Sequence, residues 1–205
     1  MRVAIATAIL GTMLVASPRS QVTQGPRTSD SLERPFPHNG RIRMDLSAGD
    51  YQILGSKDNR IRLEWSVRDS EALTRVRNRA DVRDRDANIT TDGPGNRGFK
   101  VVIQVPTEAD LYVRLTAGDL RIEDIRGNKD VELHAGDVRI DVGRAEDYHS
   151  VDASLWAGDI KAPPFNIFKD GLFRSFDWRG TGPYRLHAHL KAGDLRLYFK
   201  ADQAR

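Results

Sequence analysis

Cysteine is absent from this 205-residue chain. That excludes a disulfide framework, a Cys-based metal site, a thiolate nucleophile and a lipid-modified cysteine near the start. Long apolar runs are missing after residue 15, so no later segment reaches the roughly 20 residues of a membrane-spanning helix. No sign of charge dominates either. The formal net charge is +3, and setting aside Arg2 and Arg19 at the start leaves 30 basic residues against 29 acidic. The two signs are interspersed, which is the pattern of a solvated surface and gives no reason to expect a nucleic-acid partner. Catalytic signatures are lacking too: there is no H-E-x-x-H, G-x-S-x-G or G-x-x-x-x-G-K-[ST]. The expectation is a protein that is not an enzyme and needs no cofactor or metal.

What is present is a triplet, Ala-Gly-Asp, occurring five times: Ala48-Gly49-Asp50, Ala117-Gly118-Asp119, Ala135-Gly136-Asp137, Ala157-Gly158-Asp159 and Ala192-Gly193-Asp194. Its flanks repeat as well. Four and two residues before the Ala stand Met44/Leu46, Val113/Leu115, Val131/Leu133, Ala153/Leu155 and Ala188/Leu190. Three and five residues after it stand Tyr51/Ile53, Leu120/Ile122, Val138/Ile140, Ile160/Ala162 and Leu195/Leu197. Alternation of this kind marks a strand with one buried face. The apolar parity flips across Gly-Asp, so the chain must turn there to keep both halves inward. Gly supplies backbone angles closed to other residues, and the Asp side chain can bond nearby N–H groups.

Strand, tight corner, strand is therefore the unit, and the chain is all-β. Two architectures satisfy the flip. In a β-solenoid the corner joins two strands of one coil and equivalent strands stack in parallel. In an antiparallel hairpin-built β-sandwich Gly-Asp is a two-residue loop. Triplets spaced 18 and then 22 residues apart favour stacking, because every coil then repeats the same environment.

The remaining stretches fall into place around this domain, residues 41–199. Met1-Arg2 followed by the apolar Val3 to Val15 and a small, polar segment reads as a secretory signal peptide over residues 1–20, with export to the periplasm or cell surface. Residues 21–40, with Pro26, Pro35 and Pro37, read as a flexible lead-in. Arg60 to Val67 alternates as a strand, and so does Phe99 to Val105. Asp69 to Arg85 predicts one short helix, with Asp69 or Ser70 as cap and Leu73, Val76 and Ala80 on one face. An insertion from Pro163 to Pro183 carries Phe165, Phe168, Phe173, Phe176 and Trp178, either as a cap over the stack's open end or as a platform for sugar rings. Residues 200–205 are a polar tail.

The candidate binding residues lie two positions after the corner Asp: Gln52, Arg121, Arg139, Lys161 and Arg196. Stacked coils would line them into a cationic column beside the corner acids. The plain reading is an interleaved charge ladder; the functional one is a strip that grips an anionic envelope polysaccharide. His187 and His189 flank an inward residue and could join His134 or His149 around a metal, though ordinary surface histidines fit as well.

Three stretches carry a family likeness. Val102-Ile103-Gln104-Val105-Pro106, then Asp110-Leu111-Tyr112-Val113 and Thr116-Ala117-Gly118-Asp119, resembles an I-x-V-P … L-x-V-x-T-x-x-G-D pattern. Ile125 to Val131 up to Gly136-Asp137 matches its next turn, and Gly171 to Phe176 with Gly180-Thr181-Gly182-Pro183-Tyr184 is similar to a terminal unit. The pattern is that of the bacterial "putative adhesin" family of secreted, repeat-built β domains. The resemblance implies a right-handed, β-helix-like stack exported to the periplasm or surface, and it offers no catalytic residues. The expectation is an adhesin-like structural or interaction module whose partner is an envelope polysaccharide or surface protein. The alternative is a carbohydrate-binding or carbohydrate-cleaving β-helix protein.

Overall fold

A computed structural model describes residues 27–94 and 98–200; the expected signal peptide lies outside them. In chain order the strands are β1 (Ser29–Pro35), β2 (Arg41–Leu46), β3 (Asp50–Ser56), β4 (Arg60–Ser66), β5 (Arg77–Arg83), β6 (Asp86–Asp92), β7 (Lys100–Pro106), β8 (Asp110–Ala117), β9 (Leu120–Glu123), β10 (Lys129–Ala135), β11 (Val138–Asp141), β12 (Tyr148–Ala162), β13 (Ile167–Arg179), β14 (Tyr184–Ala192) and β15 (Leu195–Tyr198). One short helix, α1 (Ser70–Arg75), sits between β4 and β5.

The strands join in the order β1-β4-β7-β3-β9-β11-β15-β12-β14-β10-β8-β2-β6-β5, with β13 attached to β12. The two ends, β1 and β5, touch. The result is a nearly closed, barrel-like sheet. Two parallel runs make up most of it: β6-β2-β8-β10-β14 and β7-β3-β9-β11-β15. Strand β12 belongs to both, pairing β14 with its first part and β15 with its last. Antiparallel pairs occur only at the margins, as β1–β4–β7, β5–β6 and β12–β13.

Each Gly-Asp corner carries the chain from one run to the other, so the strands before and after it pair with their equivalents. The hairpin-built sandwich therefore does not describe the corners. The apolar repeats explain why: in register, Leu46, Leu115, Leu133, Leu190 and Leu155 fall on adjacent strands, and so do Tyr51, Leu120, Val138, Leu195 and Ile160. Like meets like. All twenty flanking positions named above are buried between the runs.

Stacking order departs from chain order. The last unit, β14–β15, lies between β10–β11 and β12, so the corners run Gly49, Gly118, Gly136, Gly193, Gly158. These backbones pass very close. A Cβ on Gly136, where φ is +130°, would fall 2.1 Å from the Gly118 carbonyl oxygen, and one on Gly193 1.8 Å from that of Gly136. Only glycine fits such an approach.

Two expectations are corrected. The helix predicted over Asp69 to Arg85 stops at Arg75; Asp69 caps it by accepting the Ala72 N–H at 2.7 Å. Residues 77–83 instead pair antiparallel with β6. Asn78, Ala80 and Val82 alternate with exposed Arg77, Arg79, Asp81 and Arg83, a period-2 pattern, and the free edge of β6 offers a full ladder that a solvated helix could not match. The lead-in is corrected likewise: Ser29–Pro35 forms a strand along the edge of β4.

Candidate functional site

The cationic column assembles on the outer face of the second run. In register, Gln52 stands beside Arg121, Arg121 beside Arg139, Arg139 beside Arg196, and Arg196 beside Lys161. Parallel strands lie about 4.8 Å apart, so the four cations span roughly 14 Å. The interposed last unit places Arg196 ahead of Lys161. Arg121 reaches Glu123 at 3.6 Å and Lys161 reaches Asp159 at 3.3 Å. Among the described residues, Arg139 and Arg196 have no carboxylate partner at ion-pair distance, and both are exposed. An open groove of about 290 Å³ crosses this face past Gln52, Arg121, Arg139 and Lys100.

Two of the five corner acids, Asp137 and Asp194, have a structural task. Asp137 Oδ1 accepts the backbone N–H of Asp194 at 3.1 Å, and Asp194 Oδ1 accepts that of Asp159 at 3.1 Å. Each carboxylate thus ties its corner to the next. A second ladder of this kind holds the other end of the first run: Asp110 Oδ1 accepts the Asn128 backbone N–H at 2.8 Å, and Asn128 Oδ1 accepts that of Arg185 at 2.9 Å. Asp110, Asn128 and Arg185 each stand seven residues before the Ala of a triplet, and aligning the repeats would have exposed them.

Aligned repeats would also have exposed Lys129. It occupies a column otherwise made of Ile42, Leu111, Leu186 and Val151, and it is 1% exposed. Its Nζ donates to the Gly127 carbonyl at 3.1 Å and to the Tyr148 hydroxyl at 2.8 Å. Burial drives the amine down to about 7, against the pull of Asp141, Asp110 and Asp147. Burial likewise pushes the Tyr148 phenol up. A groove of about 1450 Å³ opens nearby, lined by Asp124, Asp141, Arg144 and Tyr148 but not by Lys129, so the amine acts inside the core.

The histidines do not converge. His189 Nδ1 lies 2.7 Å from Ser154 Oγ, and among the described residues no three His, Asp or Glu side chains could hold a metal ion. The aromatic insertion divides: Phe165 and Phe176 are buried, with Phe165 packed 4.9 Å from Trp178, while Phe168 and Phe173 stand in water. The column's cations can attract anions, and Arg121 and Lys161 already hold carboxylates of their own chain.

No family model and no curated protein matches the chain. Solved structures do. A "putative cell adhesion protein" from Clostridium sporogenes is similar over 84% of this chain and 100% of its own, at 12% identity and a TM-score of 0.56. A "putative adhesin" from Bacteroides fragilis covers 84% and 99% at 11% identity and a TM-score of 0.30. A "putative lipid binding protein" from Parabacteroides distasonis covers 83% and 97% at 10% identity and a TM-score of 0.30. The chain shares its fold with the Clostridium protein.

Proposed function

We propose that this chain is an exported, non-catalytic module of a bacterial envelope, adhesin-like, that holds an anionic envelope polysaccharide along the column Arg121, Arg139, Arg196 and Lys161. On this reading residues 1–20 are a signal peptide and the domain starts at the strand Ser29–Pro35, ahead of residue 41, and the site of action is the periplasm or the cell surface. We read the fold as a β-solenoid whose coils are the strand–corner–strand units. Its parallel crossovers are right-handed, as nearly all such crossovers are. The fold shared with a cell adhesion protein supports an interaction role.

One observation carries the reading: four cations in register on adjacent strands, two of them without a carboxylate partner among the described residues. Regularly spaced positive charge on a rigid face suits a polymer that repeats negative charge. The test is retention of the protein on an immobilised acidic polysaccharide in a salt gradient. Replacing Arg121, Arg139 and Arg196 by Gln is expected to weaken binding about tenfold, from a few tenths to 1 kcal/mol per exposed charge. Unchanged retention refutes the column as the site. Release of reducing or unsaturated ends in the same assay would favour a cleaving enzyme instead.

A further inference from the structure

All four of the exposed large apolar side chains among the described residues, Trp156, Phe168, Leu172 and Phe173, lie on β12 and β13, at 57%, 63%, 60% and 75% exposure. They form one patch. Ala157 stands opposite Leu172 and Lys161 opposite Phe168, so the patch wraps around the Gly158 corner at the end of the stack. Trp156 and Phe173 lie with ring centroids 6.2 Å apart at 35°. Phe173 is held at φ +53°, a left-handed angle that a bulky residue rarely adopts. A strained backbone that drives an aromatic ring into water points to a use for that ring.

The edge of β13 is obstructed for another strand between Lys169 and Ser175. Lys169 Nζ donates to the Ser175 carbonyl and Arg174 Nε to the Asp170 carbonyl, so the strand's own cations cover its backbone. Gly171 and Phe173, both at positive φ, distort it further. These are devices that block edge pairing. A partner must therefore engage the side chains. Phe168, Leu172 and Phe173 carry no polar side-chain atom of their own; Phe168 and Phe173 line an open groove of about 450 Å³ with Lys169, Asp170, Arg174 and Ser175.

Charge surrounds the apolar patch. Lys161 stands opposite Phe168 with Arg196 one strand further, Lys169 and Arg174 flank the patch on β13, and Lys191 follows from the β12–β14 register as the neighbour of Trp156. Asp159 and Asp170 face each other at the corner, with Lys161 reaching Asp159. With Asp194, which accepts the Asp159 N–H, five cations outnumber three acids. We propose that this corner is a membrane-docking surface that inserts Trp156, Phe168, Leu172 and Phe173 into the interface of an anionic lipid bilayer, with the surrounding lysines and arginines on the headgroups. It shares Lys161 and Arg196 with the polymer column, but its apolar residues lie outside that column, and its test leaves Arg121, Arg139, Arg196 and Lys161 in place.

The experiment mixes the full chain with vesicles of phosphatidylglycerol and phosphatidylcholine whose acyl chains carry bromine, a contact quencher of tryptophan. Comparison with W156F isolates the Trp156 emission, so lipid contact elsewhere in the chain does not enter. Expected is a blue shift and quenching of Trp156, about tenfold weaker lipid dependence with pure phosphatidylcholine, and loss of the Trp156 signal in F168S/L172S/F173S. These side chains are exposed, and circular dichroism checks that the triple variant folds. Trp156 emission that ignores brominated vesicles overturns the proposal, and so does quenching that survives the triple substitution. A Trp156 response to acidic polysaccharide but not to lipid overturns it in favour of a sugar platform.

Discussion

Replacing Lys129 by Met should make the protein more stable, although it removes two hydrogen bonds. The amine falls from its ordinary 10.5 to about 7 on folding. That difference is worth roughly 4–5 kcal/mol against the folded state where the amine is charged in the unfolded chain. Met fits the same space without a charge. It leaves the Tyr148 hydroxyl and the Gly127 carbonyl without their donor, at a cost of about 2 kcal/mol. The net gain at pH 7 is then roughly 2–3 kcal/mol, or about 1 M in the urea midpoint. The sign of the pH dependence follows from which state holds the proton. Between pH 7 and 10.5 the unfolded chain binds it and the folded core does not, so wild-type stability climbs with pH across that window. Below about pH 7 both states are protonated and the penalty is constant. K129M lacks the climb. Urea titrations at pH 6, 7, 8.5 and 10 should therefore show a gap that is widest at low pH and has closed or reversed by pH 10. A variant less stable than wild type at pH 7, or a gap that is the same at every pH, would refute the reasoning.

Other outcomes follow from the corners. G136A forces a Cβ to within 2.1 Å of a backbone oxygen, and the melting temperature should fall by the equivalent of more than about 3 kcal/mol. Gly143 has φ +66° but nothing within 4 Å of the place a Cβ would take, so G143A should cost only about 1–2 kcal/mol; equal losses at the two sites would refute the close-approach argument. D194N keeps the oxygen that accepts the Asp159 N–H and should stay within about 0.5 kcal/mol of wild type, while D194A should lose about 1 kcal/mol. If both lose the same in a denaturant titration, the carboxylate's charge, not its hydrogen bond, is what matters.

The repeat was legible because its chemistry is local: alternation puts Leu115, Leu133, Leu155 and Leu190 on one face, and the parity flip demands a turn at Gly-Asp. The cation register followed from the same periodicity. What the sequence hid depends on neighbours distant along the chain. Ser29–Pro35 became a strand only because β4 presented unpaired backbone groups. Residues 77–83 carry both a helical and a strand pattern, and the edge of β6 chose between them. Lys129 sat in a polar-looking stretch, Gly127-Asn128-Lys129-Asp130, where nothing local marks it as buried. The exposed aromatics of β13 were visible as residues, but which of them the core would take was decided by the fold.

The interposed last unit has a consequence for how the molecule comes together. While residues 184–198 are still being delivered, β12 has β13 beside it and no link to β10 or β11. The finished wall needs a late-arriving wedge, Tyr184 to Tyr198, slid between layers made earlier. A chain cut before Tyr184 would leave three hydrogen-bonded pieces of sheet with raw facing edges. That arrangement withholds the completed surface until residues 184–198 are in place.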